Sequence, residues 1–230
     1  MRPRLVEEAL KQPLLQVALD FVDLEEALRV AQRVVEAGAH IVEIGTPLVK
    51  SRGVEALEKI KAIAKRNMVV ADLKTVDATK LEFSPYLSRG VDGVTILGIV
   101  DDDVVEEAVK ICDEANVALI ADLMYIADPV NRALRLADIG VDIVSLHVGV
   151  DVQKKRGVTA RELLKEVSEI ASSKVIVMVA GGIKPSEAAM FASHGARIIV
   201  IGSAITKSQD PYSATATALN SLKQVSGPFI

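Results

Sequence analysis

From Val69 to Asp77 the chain runs Val-Val-Ala-Asp-Leu-Lys-Thr-Val-Asp, an apolar, β-branched segment that turns abruptly into the carboxylates of Asp72 and Asp77 and the amine of Lys74. Such a run reads as a strand buried on both faces, with Lys74 and Asp77 beyond its end, and burying an unpaired charge is costly. Three ionisable groups are tolerated there only if they face a site or one another. An ammonium among carboxylates keeps its proton, so Lys74 would serve as a cation or an acid and not as a base. A structural ion pair of Lys74 with Asp72 or Asp77 is the competing assignment.

Other short apolar runs end in Asp20, Glu43, Thr95, Asp122 and His147, and two more end in Gly181-Gly182 and Gly202-Ser203. Glu43 and Asp72 offer hard oxygen ligands with no Cys and a single His among the set, which suits Mg²⁺ or Mn²⁺ and not Zn²⁺. His147 follows Val-Ser-Leu; inside a strand it would be a satisfied core residue, and at a strand end it is a candidate catalyst. The two glycine turns expose backbone N–H groups of the kind that bind phosphate, which points to a phosphorylated small substrate; two tight structural turns are the alternative. Glu25, Glu26, Glu106 and Glu107 fall on polar helix faces, and neither His40 nor His194 is assigned a role.

The elements that would bring these groups together are legible in a degenerate repeat. Gly38-Ala-His-Ile-Val-Glu-Ile, Gly90-Val-Asp-Gly-Val-Thr-Ile, Gly140-Val-Asp-Ile-Val-Ser-Leu and Gly195-Ala-Arg-Ile-Ile-Val-Ile recur roughly every 50 residues. In each, Gly would end a helix in the left-handed conformation and a strand would follow. Between them lie four more continuously apolar strands, Leu15–Asp20, Met68–Asp72, Val117–Asp122 and Val175–Ala180. The intervening stretches keep a helical period, as in Leu24, Ala27, Leu28, Ala31, Val34 and Val35; Val104, Val105, Ala108, Val109 and Ile111; and Leu134, Leu136 and Ala137. Pro129, Pro185 and Pro211 stand where helices begin. Strand and helix alternating eight times predict a parallel (β/α)8 TIM barrel, in which the active site is built at the C-terminal ends of the strands. A doubly wound open sheet is second, and no G-x-G-x-x-G follows the first strand to support it. The expected organisation is one barrel domain over 1–230, with a short N-terminal extension 1–13 and a C-terminal tail 224–230.

Composition narrows the function. The 230 residues are 50% hydrophobic and 25% charged, enough to bury a full core. A net charge of −4, three Tyr, four Phe and no Trp argue against a nucleic-acid partner. No apolar run approaches a membrane span, and the opening residues, interrupted by Glu7, Glu8, Lys11 and Pro13, are no signal peptide, so a cytoplasmic protein is expected. Cys112 is alone, which excludes an internal disulfide.

The motifs Gln16-Val-Ala-Leu-Asp20, Val42-Glu-Ile-Gly-Thr-Pro-Leu-Val-Lys50, Ala71-Asp-Leu-Lys-Thr-Val-Asp77, Asp128-Pro-Val, His147-Val-Gly-Val-Asp151, Ala180-Gly-Gly-Ile183 and Gly202-Ser-Ala-Ile-Thr206 together resemble the 3-hexulose-6-phosphate synthase family of the orotidine-monophosphate decarboxylase suprafamily. The likeness runs from about Leu15 to Pro211. It implies a Mg²⁺-dependent aldol reaction joining formaldehyde and D-ribulose 5-phosphate, or the reverse cleavage of D-arabino-hex-3-ulose 6-phosphate. By the same resemblance, Glu43 and Asp72 would hold the metal, His147 would exchange the proton at the reacting carbon and Lys74 would stabilise the enediolate. Asp20 and Asp72, with Gly181, Gly182, Gly202 and Ser203, would bind the substrate. Asp77 would reach across a homodimer interface into its partner's site.

Thr79, Met124-Tyr125 and Ser203 depart from the family pattern; some relatives carry Arg at the Ser203 position, and Lys184 or Lys207 is the candidate substitute. The competing functions are a decarboxylase acting on 3-keto-L-gulonate 6-phosphate, which would carry Arg where this chain has Val150, and a non-catalytic phosphosugar-binding barrel. Orotidine-monophosphate decarboxylase needs no acid at Glu43. Loss of catalysis would be expected to show at Asp20, Glu43, Asp72, Lys74, Asp77 or His147, and all six are intact.

Overall fold

In the computed structural model, which describes residues 2–225, eight strands close into one parallel barrel in sequence order, β8 pairing back onto β1. The strands are β1 (Leu14–Leu19), β2 (Ile41–Ile44), β3 (Met68–Thr75), β4 (Gly93–Leu97), β5 (Ala118–Asp122), β6 (Ile143–His147), β7 (Ile176–Ala180) and β8 (Ile198–Ile201). The helices are α1 (Arg4–Lys11), α2 (Leu24–Glu36), α3 (Thr46–Arg52), α4 (Val54–Ala64), α5 (Thr79–Leu87), α6 (Asp102–Ala115), α7 (Pro129–Ile139), α8 (Val150–Arg156), α9 (Leu164–Ala171), α10 (Ala188–Ser193), α11 (Ser203–Thr206) and α12 (Pro211–Leu222). Of the tail assigned to 224–230, residues 226–230 lie outside the described residues.

Alternation along each strand sorts its side chains into two apolar clusters. Val17, Leu19, Val42, Ile44, Val69, Val94 and Val144 pack outward against the helices. Leu14, Ala18, Ile41, Met68, Val70, Ile120, Ile143, Met178 and Val200 fill the barrel interior. The N-terminal extension belongs to the second cluster: Leu5, Val6 and Ala9 of α1 close the bottom of the barrel. Gly93 makes room for that plug, because a Cβ there would meet Leu5 Cδ2 at 3.0 Å.

The repeat explains the lower rim. All four helix-ending glycines have positive φ, from 71° at Gly90 to 115° at Gly140. The third residue of each copy then clasps a neighbour. His40 Nδ1 accepts from Leu15 N at 2.9 Å, Asp92 from Val69 N at 2.8 Å and Asp142 from Leu119 N at 2.9 Å. Arg197 donates to the carbonyls of Ala9 and Leu10 in α1. His40 is thus a structural residue, and Cys112 is a buried thiol pushed up to about 12 by burial.

Two expectations are corrected. Leu134 of α7 is 40% exposed, and that helix buries Ala133 and Leu136 instead. Lys74 lies within β3 and not beyond it, because the strand runs on to Thr75 through a register irregularity between Ala71 and Thr75.

Candidate active site

Inward parity places the chemistry one layer above the apolar floor. Ala18 is level with Glu43, and Glu43 with Val70; two residues further along β3 stands Asp72, Thr95 lies mid-strand in β4 and not at its end as expected, and Asp122 and His147 are the last residues of β5 and β6. These groups, with Asp20 just past β1, line a cavity of about 430 Å³ at the C-terminal ends of the strands. Lys74 enters it through the β3 irregularity: its φ is +48°, and its backbone N–H donates to Thr95 Oγ1 at 2.9 Å. That left-handed geometry is uncommon for a residue with a side chain and is held here by a hydrogen bond within the site.

The Lys74 ammonium bridges two acids. Nζ lies 2.8 Å from Asp72 Oδ2, 2.9 Å from Asp72 Oδ1 and 2.8 Å from Asp122 Oδ2. Burial would lower the Lys74 pKa, but Asp72 and Asp122 outweigh it and hold the amine well above its ordinary value, so it is a cation. Burial would likewise raise Asp122; the hydrogen bond and charge of His147, with Lys74, pull it far below the usual carboxylate range. Asp122 Oδ2 also stands 3.0 Å from His147 Nδ1. An ionised carboxylate can only accept, so Nδ1 carries a proton, and in the neutral imidazole the lone pair is therefore on Nε2.

The carboxyl groups of Asp20, Glu43 and Asp72 crowd together in the cavity lining. Burial, then Asp72 and Asp20, push Glu43 up to about 8 against the opposing hydrogen bond from Gln16. Burial and Asp72 raise Asp20, with Lys74, His147 and Lys207 opposing. Asp72 also accepts from Thr46 Oγ1 at 2.7 Å and Thr95 Oγ1 at 2.8 Å. Among the described residues no cluster of three His, Cys, Asp or Glu side chains forms a ready metal cage. The donor set nevertheless fits a hard divalent cation held by Glu43 and Asp72 and completed by substrate and water, since the mutual repulsion that raises Glu43 and Asp20 is what a cation would relieve.

Both glycine turns follow β7 and β8, and Gly202 adjoins the acids, since a Cβ there would lie 3.5 Å from Asp20 Oδ2. Gly181 has φ +116°, and a Cβ there would come within 2.6 Å of Val148 O, so the turn admits no side chain. Its carbonyl accepts from Ala160 N at 2.8 Å. Gly182, Gly202 and Ser203 also line the cavity, and so do the ammonium-bearing Lys154 of α8 and Lys207 after α11, whereas Lys184 does not.

The structure brings together Asp20, Glu43, Asp72, Lys74, His147 and both glycine turns. Asp77 is exposed and off the cavity wall of its own chain. Sequence reasoning gave no role to Asp122, although its strand-end position was on view, nor to Gln16 and Thr46; alternation along β1 would have pointed to Gln16, and nothing local to Thr46.

A model of the Orotidine 5'-phosphate decarboxylase / HUMPS family matches residues 13–218. The chain belongs to that family. It is 36% identical over 200 residues to the 3-hexulose-6-phosphate synthase of Mycobacterium gastri, covering 87% of this chain and 95% of that relative. It is 34% identical over 212 residues to a bifunctional enzyme Fae/Hps of Methanothrix thermoacetophila, covering 92% of this chain and 53% of the relative, so it spans about half that protein's length. The crystal structure of a 3-hexulose-6-phosphate synthase superposes with a TM-score of 0.85 at 34% identity, covering 91% of this chain and 99% of the other. Within the family, then, the chain is a lyase-type enzyme similar to the 3-hexulose-6-phosphate synthases.

Proposed function

We propose that this chain interconverts D-arabino-hex-3-ulose 6-phosphate with D-ribulose 5-phosphate and formaldehyde through an enediolate. The observation that carries this is the pairing, on one Asp122 oxygen, of a base with a free Nε2 and a permanent cation. In the synthetic direction His147 Nε2 takes a proton from C1 of ribulose 5-phosphate, and the electron pair of that C–H bond becomes the enediolate. C1 then attacks formaldehyde, a C–C bond forms, and the formaldehyde oxygen takes up a proton. The Lys74 ammonium, fixed by Asp72 and Asp122, faces the developing oxyanion without reorganising. Asp20 accepts from the sugar hydroxyls. A Mg²⁺ or Mn²⁺ ion held by Glu43 and Asp72 would, when bound, supply further positive charge to the enediolate oxygens. Gly181, Gly182, Gly202 and Ser203 receive the phosphate. Val150, on the cavity wall, offers no charge for the decarboxylase alternative.

The same proposal includes a homodimer in which Asp77 serves the partner's site. Two features support it. Asp77 is off its own cavity, and the apolar Val76, Leu81, Ile99 and Tyr125 are 53%, 79%, 62% and 69% exposed in segments that follow β3, β4 and β5. No described helix is long and apolar enough to cross a membrane, and the single buried thiol suits the cytoplasm we assign.

Formaldehyde release from hexulose 6-phosphate, with and without chelator, is the test. Chelator-sensitive release supports the proposal; no release at any metal concentration overturns it.

A further inference from the structure

Beneath the acids stands a buried amide that the fold does not need. Gln16 of β1 is 1% exposed, points into the barrel, and sits in register with the apolar Ile41 of β2 and Val200 of β8. Its Nε2 donates to Glu43 Oε2 at 2.6 Å. Its Oε1 is buried without a hydrogen-bond partner, although the side chain reaches the cavity wall. A buried amide with one oxygen unsatisfied destabilises a fold relative to an apolar side chain of the same size. At this level the interior is otherwise filled by Ile120, Met178 and Val200, and a methionine would complete that packing with nothing left unpaired.

What the amide does is confined to Glu43. That carboxylate is buried beside Asp20 and Asp72, and the Lys74 ammonium is taken up by Asp72 and Asp122 and makes no bond to it. Among the described residues Gln16 is the side chain that donates a hydrogen bond to Glu43.

We infer that Gln16 is the positioning residue for Glu43, its Nε2 fixing one carboxylate oxygen so that the group is presented to the cavity in a single orientation. The inference rests on the proposed function in taking Glu43 as a ligand of a divalent cation. Partners that orient ligands in this way typically contribute 10–100-fold to metal affinity or activity.

The test is Gln16→Met, which keeps length and volume and removes both polar atoms. Mn²⁺ binding to the metal-free protein is read by electron paramagnetic resonance without substrate, alongside thermal melting and the kcat and KM of the aldol reaction. Expected are a folded variant, a Mn²⁺ Kd raised about 10–100-fold, and a lower kcat at unchanged KM for the sugar phosphate. Mn²⁺ affinity and kcat within twofold of wild type would overturn the inference. So would a variant that does not fold, because the amide would then belong to the scaffold. Wild-type protein with neither Mn²⁺ binding nor turnover overturns the proposed function and this inference together; wild-type binding and turnover with an indifferent Gln16→Met overturns this inference alone.

Discussion

Asp122 Oδ2 stands 3.0 Å from His147 Nδ1, and the same oxygen stands 2.8 Å from Lys74 Nζ. One ionised carboxylate therefore sets the tautomer of the imidazole and the place of the ammonium, and a change at Asp122 disturbs both.

His147→Ala should suppress exchange of the C1 proton of ribulose 5-phosphate with solvent, by about 10²–10⁴-fold if it removes the general base. Asp122→Asn should suppress it too, because an amide can present its N–H to Nδ1 and strand the proton on Nε2. Deuterium incorporation followed by NMR is the measurement. Wild-type exchange in His147→Ala would return that residue to a structural role.

Exhaustive chelation should abolish turnover, and Glu43→Gln should lose activity but recover part of it at high Mg²⁺. Full activity in EDTA would refute the metal assignment. In metal-free protein, burial and the neighbouring Asp72 and Asp20 hold Glu43 at about 8. A carboxyl raised in the folded state stabilises it fully below the unfolded value near 4.5, and that stability is lost as pH rises through about 8. Melting temperature in EDTA should therefore fall between about pH 4.5 and pH 8 and gain no further slope from this group above that, with a shallower fall when Mg²⁺ is present and in Glu43→Gln. Identical slopes for wild type and Glu43→Gln would contradict this.

Lys154 and Lys207 line the cavity and make no ion pair among the described residues, while Ser203 supplies no charge. Lys207→Ala should raise KM for the sugar phosphate and weaken competitive inhibition by inorganic phosphate about tenfold, with kcat little changed. Lys154→Ala should act in the same direction, and Lys184→Ala, off the cavity, should be silent. Equal phosphate inhibition in all three variants and wild type would place the phosphate elsewhere.

Mixing Asp77→Ala with Lys74→Ala, each inactive alone, should restore activity, since a heterodimer concentrates both defects in one site and leaves the other intact. Heterodimers that form yet stay inactive would show that Asp77 acts within its own chain.

The barrel was legible because periodicity and punctuation are local: glycines at positive φ, apolar strands and prolines at helix starts mark eight units without reference to the whole. Strand ends named the acids, Lys74 and His147, since in a closed parallel barrel every strand points its end at the same place. The sequence could not say which of those groups touch. That Lys74 joins Asp72 to Asp122, that Asp122 and not a nearer acid holds His147, and that Gln16 lies under Glu43 depend on the stagger between strands and on the irregularity in β3. Apart from Lys74–Asp72 within β3, these contacts join residues 25 to 48 positions apart, and only pairing and closure of the sheet bring them within hydrogen-bonding distance.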